Sequence, residues 1–278
     1  MLQPPPDTDV CKAKPFLRWT GSKSWLVKEH ITKFLPKKFN DYHEPFLGGG
    51  AVFFHIRPQK NVYLSDLNSD LITTYVQIRD NVEKVIEALR LYRNTEEDYY
   101  QIRAMTNKTD HCKAARFIYL NRTSFNGIYR VNDKGQYNVP YGKREAVDIL
   151  TADNLRSVSE ILKGKNIFCE SFTAIKKTVS KNDLVYLDPP YTVAHENNGF
   201  IEYNSKLFSW DDQHKLAELL NYLNKIGAQF ILSNAEHLAI RKLFKGLGDF
   251  YSLSRYSKVG GRNKTRGVFN EVIITNIK

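Results

Sequence analysis

The chain has 278 residues, with 41 Lys and Arg against 30 Asp and Glu, a net charge of +11 and a pI near 9.4. Its 42% apolar content supports one large domain or two modest ones. No run nears the roughly 20 apolar residues of a membrane span. Three scattered cysteines, Cys11, Cys112 and Cys169, fit neither a metal site nor a disulfide framework.

Residues 1–13 carry Pro4-Pro5-Pro6 and no apolar signal core, so they read as a loose tail of a cytoplasmic protein. Phe16-Leu17-Arg18-Trp19-Thr20-Gly21-Ser22-Lys23 then precedes a first helix. The full phosphate-loop pattern is missing, yet a helix start beside Lys23 suits an anionic group such as a carboxylate. Taken alone, a capped helix with a solvated lysine is the favoured reading. Asp41–Phe46 leads into Leu47-Gly48-Gly49-Gly50 as strand, glycine turn and helix start, and Asn61–Asp66 is a second strand ending in an acid. A glycine turn admits a ligand close to the backbone, and an acid after the next strand suits ribose hydroxyls. The absence of G-x-G-x-x-G disfavours a nicotinamide cofactor and leaves a smaller nucleoside cofactor. A plain tight turn with a solvent-facing aspartate stays open.

Leu71–Arg93 has helical spacing, and Tyr99–Leu120 reads as a second helix. Asn121–Gly142 mixes Asn, Gly, Arg and aromatics without a period, which predicts a functional loop or hairpin. A helix over Asp148–Leu162 and a strand over Ile167–Glu170 follow. The strand Asp183–Leu187 stops at Asp188-Pro189-Pro190-Tyr191, because neither proline has an N–H to continue a ladder or a helix. This turn presents an acceptor-only carboxylate, stiffly held carbonyls and an aromatic plate. Such a set suits a flat, weakly nucleophilic amino group. Accepting both amine hydrogens draws the nitrogen toward tetrahedral geometry and frees its lone pair, while the tyrosine stacks on the ring. A rigid turn with a capping aspartate is the bland alternative.

After a polar, aromatic loop from Thr192 to Trp210, Ser209 or Asp211 caps a helix over Asp212–Ile226. Phe200, Tyr203 and Phe208 in this region suit either a pocket rim or local packing. Ala228–Ser233 reads as a strand, Leu238–Leu247 as a helix, and Phe250–Tyr256 with Val268–Ile277 as two strands around a basic Gly-Gly turn. The alternation predicts a three-layer, Rossmann-like α/β sheet with an antiparallel edge hairpin. Residues 71–154 interrupt it as an inserted, mostly helical domain, leaving 14–70 and 155–278 as the main domain. Basic residues gather in two stretches. The first holds Lys113, Arg116, Arg122, Arg130, Lys134, Lys143 and Arg144, against Asp133 alone. The second runs from Arg241 to Lys278. Together they suggest a groove for a phosphate backbone, with two solvated faces as the alternative.

The ordered blocks F-L-R-W-T-G-S-K (16–23), E-P-F-L-G-G-G (44–50), D-L-N-S-D-L (66–71), L-N-R-T-S-F-N-G-I-Y-R-V-N (120–132), N-V-P-Y-G-K (138–143), D-P-P-Y (188–191) and F-I-E-Y (200–203) resemble those of bacterial and phage DNA adenine methyltransferases of the Dam family. The resemblance spans residues 14–277. It implies an S-adenosylmethionine-dependent methyltransferase fold and methylation of adenine N6 in double-stranded DNA, commonly at GATC. It also implies a monomer in solution, capable of binding DNA in more than one copy, with no metal. Trp19, Lys23, Phe46, Gly48, Gly50 and Asp66 would form the cofactor site, shared with Asp188. Asp188, Pro189, Pro190 and Tyr191 would hold the target adenine. Arg122, Asn132 and Asn138 would hold phosphates and Arg130 would read a guanine. Phe125, Asn126, Ile128, Pro140 and Lys143 would contact bases, and residues 71–154 would form the recognition domain. Gly21-Ser22 departs mildly from the usual glycine pair. His195 stands where some relatives carry a base-contacting serine, so it either replaces that contact or is an ordinary loop residue. Related prolyl motifs also serve RNA and amide substrates, and a non-catalytic DNA-binding relative is a further alternative.

Overall fold

The computed structural model describes residues 13–106, 108–144, 146–192, 208–256 and 268–278, with the backbone alone described at Arg255, Tyr256, Val268 and Phe269. His195, Phe200, Tyr203 and most of the basic Gly-Gly turn lie outside the described residues. The strands are β1 (Tyr42–Glu44), β2 (Val62–Asp66), β3 (Asn166–Cys169), β4 (Leu184–Leu187), β5 (Gln229–Ala235), β6 (Asp249–Tyr256) and β7 (Val268–Thr275). They form a seven-stranded sheet in the order β3-β2-β1-β4-β5-β7-β6. β1, β4 and β5 run parallel, while β7 is antiparallel to both β5 and β6. The expected α/β sheet with a closing antiparallel hairpin is therefore present. β7 lies between β5 and β6, leaving β6 at the edge.

The helices are α1 (Ser24–Glu29), α2 (Ala51–Ile56), α3 (Ser69–Arg90), α4 (Glu96–Ala104), α5 (Asp110–Thr123), α6 (Ala152–Leu162), α7 (Trp210–Ile226) and α8 (Leu238–Leu243). Among the described residues, none is long and apolar enough to cross a membrane. The chain divides into two compact units. The first comprises the described residues up to Ser24, with Leu47–Arg57 and Leu64–Glu170. The second comprises Trp25–Phe46, Pro58–Tyr63 and Ser171–Lys278. The helices of 71–154 fall in the first unit together with the glycine turn and Asp66.

In the first unit, α3 packs on α5, α6 and β3. Leu71, Ile72, Tyr75, Ile78, Val85, Ile86 and Leu89 form its buried stripe, and Asn68 caps it by accepting from the Leu71 N–H at 3.0 Å. The single helix expected over Tyr99–Leu120 is two helices, α4 and α5. Met105 ends α4 in an extended conformation. The Arg116 guanidinium then donates to the carbonyls of Ile102 and Arg103, which satisfies the acceptors that a helix end leaves open. The polar stretch Thr106–Thr109 favours this break, since its side chains compete with helical hydrogen bonds.

In the second unit, Leu184–Leu187 are all buried, and α7 packs on β5. Leu216, Leu219, Leu220 and Leu223 of α7 join Phe230, Leu232, Val272 and Ile274 in one core. Of the two candidate caps of α7, Ser209 takes the role. Its hydroxyl accepts from the Asp212 N–H at 3.2 Å, and the Asp212 carboxylate accepts the Ser209 N–H at 3.0 Å. Removing this reciprocal cap with Ser209→Ala is expected to cost about 1 kcal/mol, seen in thermal melts as a drop of about 2 °C. An unchanged melt would show that the cap contributes nothing to the unit.

Candidate active site

In the first unit, the glycine turn is shaped by Trp19. Gly48 has φ +47°, and a Cβ there would lie 2.7 Å from Trp19 Nε1; one on Gly49 would lie 2.9 Å from Trp19 Cβ. The indole stacks at 6.4 Å on Phe117 and at 6.1 Å on Tyr129. Gly50, at φ +65°, opens α2 and leaves room for the Tyr75 hydroxyl and Phe54. The Gly48 N–H donates to Asp66 Oδ2 at 3.0 Å, and the Asn68 N–H donates to Oδ1 at 3.0 Å. Burial raises the Asp66 pKa, opposed by these backbone donors. Asp66 is thus a held acceptor rather than a loose surface acid. Leu67 beside it is 66% exposed, and its carbonyl receives the Cys169 thiol at 3.6 Å. Lys23 is only 4% exposed, with Nζ 3.3 Å from the Gly21 carbonyl, which corrects the picture of a solvated lysine.

A residue to which sequence reasoning gave no role, Asn121, binds this segment to the hairpin region. It is buried on α5. Its Oδ1 accepts the Arg18 N–H at 2.7 Å, and its Nδ2 donates to the carbonyls of Arg18 at 2.7 Å and Gly127 at 3.3 Å. Tyr129 complements the clamp, stacking on Trp19 and donating to Asp70 at 3.1 Å. A lone Asn at a helix end carries no sequence signal for such a role.

The stretch expected to be a functional loop or hairpin is an irregular hairpin with bridges Ser124–Tyr141 and Val131–Tyr137. Phe125 is 50% exposed, and Asn126 holds the left-handed backbone φ 56° beside it. Pro140 and Lys143 are exposed, and Ile128 is half-buried. The Pro140 carbonyl accepts the Phe125 N–H, and Lys143 pairs with Glu96 at 3.5 Å. Arg130 is exposed, with Nε donating to Asn138 Oδ1 at 2.8 Å. Asn132 instead organises the turn, its Oδ1 accepting the Lys134 and Gln136 N–H groups. Arg122 departs furthest from expectation. Its guanidinium donates to the Phe16 carbonyl twice, at 3.3 and 3.2 Å, and to the Asp148 carbonyl at 2.6 Å. Burial lowers its pKa. Together with Arg116 and the Arg144 donor to the Arg122 carbonyl, it is occupied inside the fold. Within the basic run from Lys113 to Arg144, Arg116, Arg122 and Arg144 thus direct their guanidinium groups to backbone carbonyls.

In the second unit, parallel pairing brings the ends of β1, β4 and β5 to one edge. Asp188 leaves β4 there half-buried, followed by buried Pro189 and half-buried Pro190 and Tyr191. The Tyr191 hydroxyl donates to Glu271 Oε2 at 2.6 Å and lies 3.4 Å from Ser233 Oγ. Thr192 Oγ1 donates to the Phe208 carbonyl at 3.0 Å and accepts from Gln213 at 3.1 Å. Phe46 stacks on Phe172 at 5.2 Å and meets Phe208 edge-on at 5.6 Å. Phe208 is accordingly buried packing rather than a pocket rim. The Tyr186 hydroxyl, two residues before Asp188, is buried without a hydrogen-bond partner among the described residues. Burial raises its pKa well above the usual value, reinforced by the nearby acids Asp188 and Glu44.

A family profile described as D12 class N6 adenine-specific DNA methyltransferase matches residues 19–259. The type II methyltransferase M1.LlaDCHI of Lactococcus lactis subsp. cremoris is 36% identical over 273 residues, 95% of each chain. M.MjaIII, a type II methyltransferase of Methanocaldococcus jannaschii, is 37% identical over 258 residues, 84% of this chain and 89% of its own. The DNA adenine methylase of Haemophilus influenzae is 31% identical over 243 residues, 84% of each. The chain belongs to the D12 class of N6 adenine-specific DNA methyltransferases, as the Dam-family resemblance implied. Its reaction is methylation of adenine N6 in DNA, so the RNA and amide readings fall away.

Trp19 and the positive φ make separable demands on Gly48. Gly48→Ala is expected to destabilise by more than the roughly 1–3 kcal/mol of a left-handed non-glycine residue. Gly135→Ala, also at positive φ but with nothing within 4 Å of the added Cβ, carries strain alone. Denaturant melts giving equal losses for the two would remove the Trp19 contact from the explanation.

Proposed function

We propose that the chain transfers the methyl group of S-adenosylmethionine to an adenine extruded from duplex DNA, within GATC. The observation that carries this reading is the D-P-P-Y turn at the carboxyl edge of buried β4, with acid, proline carbonyls and anchored aromatic in sequence. The GATC assignment rests on the resemblance to the Dam family, whose common target it is.

The donor set of the first unit fits the cofactor. Asp66 is held by backbone N–H groups and keeps acceptor capacity for ribose hydroxyls. Exposed Leu67 offers apolar surface for a base, and the buried Lys23 ammonium suits a carboxylate. When bound, S-adenosylmethionine supplies a methyl group on a positively charged sulfur. Residues 71–154 serve as the recognition region. Exposed Phe125 and Asn126 fill the space left by the extruded base, with Ile128, Pro140 and Lys143 beside neighbouring bases. Arg130, its guanidinium oriented by Asn138, reads a guanine through O6 and N7.

A base within a duplex is out of reach, so extrusion precedes chemistry and costs a few kcal/mol. In the second unit, Tyr191 stacks on the adenine. Asp188 and the Pro189 carbonyl accept its amino hydrogens, which concentrates the nitrogen lone pair. Asp188 positions and polarises; it need not act as a strong base.

Asp188→Ala is expected to abolish methylation while calorimetric cofactor affinity stays within a few-fold of wild type. Turnover within tenfold of wild type would sink the assignment. For Asp66, the raised pKa means that lowering pH neutralises the acceptor earlier than for an ordinary aspartate. Cofactor affinity should therefore fall as pH drops, with a midpoint above the ordinary aspartate range, and Asp66→Asn should bind weakly with no such pH dependence. A pH-independent wild type would reduce Asp66 to a structural acid.

Arg130→Ala should lose about 1–3 kcal/mol of discrimination at one guanine. Arg122→Ala should instead lower the melting temperature and leave the salt slope of DNA binding unchanged. Both variants would be measured on cognate and guanine-substituted duplexes at two salt concentrations. Full discrimination by Arg130→Ala would exclude it as the reader. A flattened salt slope for Arg122→Ala would return that residue to the phosphates.

A further inference from the structure

Glu271 has no part in the chemistry described so far, yet its position is an expensive one. It lies on β7 next to Val272, Ile273 and Ile274, all fully buried, and is itself only 2% exposed. A carboxylate withdrawn from water costs several kcal/mol unless donors replace the water. A donor is present: the Tyr191 phenol, at 2.6 Å. Glu271 pairs in register with Ala235, at the carboxyl end of β5, and Ser233 of the same strand lies 3.4 Å from the same phenol oxygen.

The backbone on both sides of Tyr191 is also held. Pro189 and Pro190 restrict it before the ring. After the ring, Thr192 is bonded to the Phe208 carbonyl and to Gln213, and Asn234 donates to Gln213 Oε1 at 3.1 Å. Gln213 and Asn234 are fully buried. Rotation about the Cα–Cβ bond would still swing the Tyr191 ring, and the bond to Glu271 restrains that swing from the far end of the ring.

We propose that Glu271 is a positioning residue of the methyl transfer: it anchors the far end of the Tyr191 ring through the phenol, so that the extruded adenine meets a stacking surface already in place. This rests on the reading of Tyr191 given above. An aromatic plate already oriented loses less freedom when a base stacks on it. The contribution therefore falls on the step after DNA and cofactor have bound.

The test is single-turnover methylation of a GATC duplex by the full chain, with DNA and cofactor affinities and melting temperature measured on the same samples. Tyr191→Phe keeps the ring and removes only the hydroxyl. It is expected to slow the transfer about tenfold, with both affinities within twofold of wild type. Glu271→Leu should slow it to a similar degree. Glu271→Gln, which retains an acceptor, should return the rate to within about threefold of wild type. The double variant Tyr191→Phe with Glu271→Leu should be no slower than the slower single variant, since both act through one bond. Tyr191→Phe decides the matter even where Glu271→Leu fails to fold: a rate within twofold of wild type overturns the proposal. Losses that multiply in the double variant also overturn it, as does a Glu271→Gln rate equal to that of Glu271→Leu. Wild-type protein inactive on DNA would be a different failure, that of the proposed function, and would be seen before any variant is made.

Discussion

Trp19 lies so close to Gly48 and Gly49 that neither position has room for a Cβ. Much of the first unit follows from that contact. With Gly48 in a left-handed conformation, its N–H faces the Asp66 carboxylate and its carbonyl receives the Tyr75 hydroxyl at 3.1 Å. The turn, the acid after β2 and the first turns of α3 thus share one arrangement. Trp19 itself packs against Phe117 and Tyr129, whose rings also meet each other at 5.4 Å, and is held through its neighbour Arg18 by Asn121. Asn121 also bonds Gly127, so the glycine turn and the hairpin with Phe125 and Arg130 are fastened to one helix. Close packing of this kind deforms little, which suits groups that must hold a set geometry.

Charge in this chain is only partly about DNA. Arg116 closes the end of α4, Arg122 spans the carbonyls of Phe16 and Asp148, and Arg144 donates to the Arg122 carbonyl. A guanidinium offers five donors in a rigid fork, so one arginine can satisfy several carbonyls that no strand or helix partner reaches. Arg130 remains exposed on the hairpin. Its Nε donates to Asn138 Oδ1 at 2.8 Å.

The second unit places buried polar pairs at both ends of its parallel strands. At the amino end, His43 on β1 lies 3.2 Å from Asp183, which also accepts the N–H groups of Asp41 and Ser180. Burial lowers the His43 pKa, against the pull of Asp183. At the carboxyl end, Tyr42 donates to Glu44 and Tyr191 to Glu271, each at 2.6 Å. Polar groups buried in this way specify one arrangement when each is satisfied. The D-P-P-Y turn is thus tied through Tyr191 to β5 and β7.

The strand–turn–helix order, the glycine turn before Asp66, the abrupt stop of β4 at two prolines and the closing pair of strands were all legible in the residues themselves. Each depends on local chemistry: an apolar period, a positive φ, a missing N–H. The family blocks were legible for the same reason, being short runs of adjacent residues. The break between α4 and α5, the burial of Lys23, the occupation of Arg122 and the roles of Asn121 and Glu271 were not. Apart from Lys23, whose ammonium bonds the nearby Gly21 carbonyl, each of these is decided by a partner distant in sequence: Arg116 for the helix break, Phe16 and Asp148 for Arg122, Arg18 for Asn121, Tyr191 for Glu271. A charged or amide side chain looks the same in sequence whether it faces water or a carbonyl. Only the tertiary structure decided which, because a buried polar group must find its hydrogen-bond partner wherever the fold brings one.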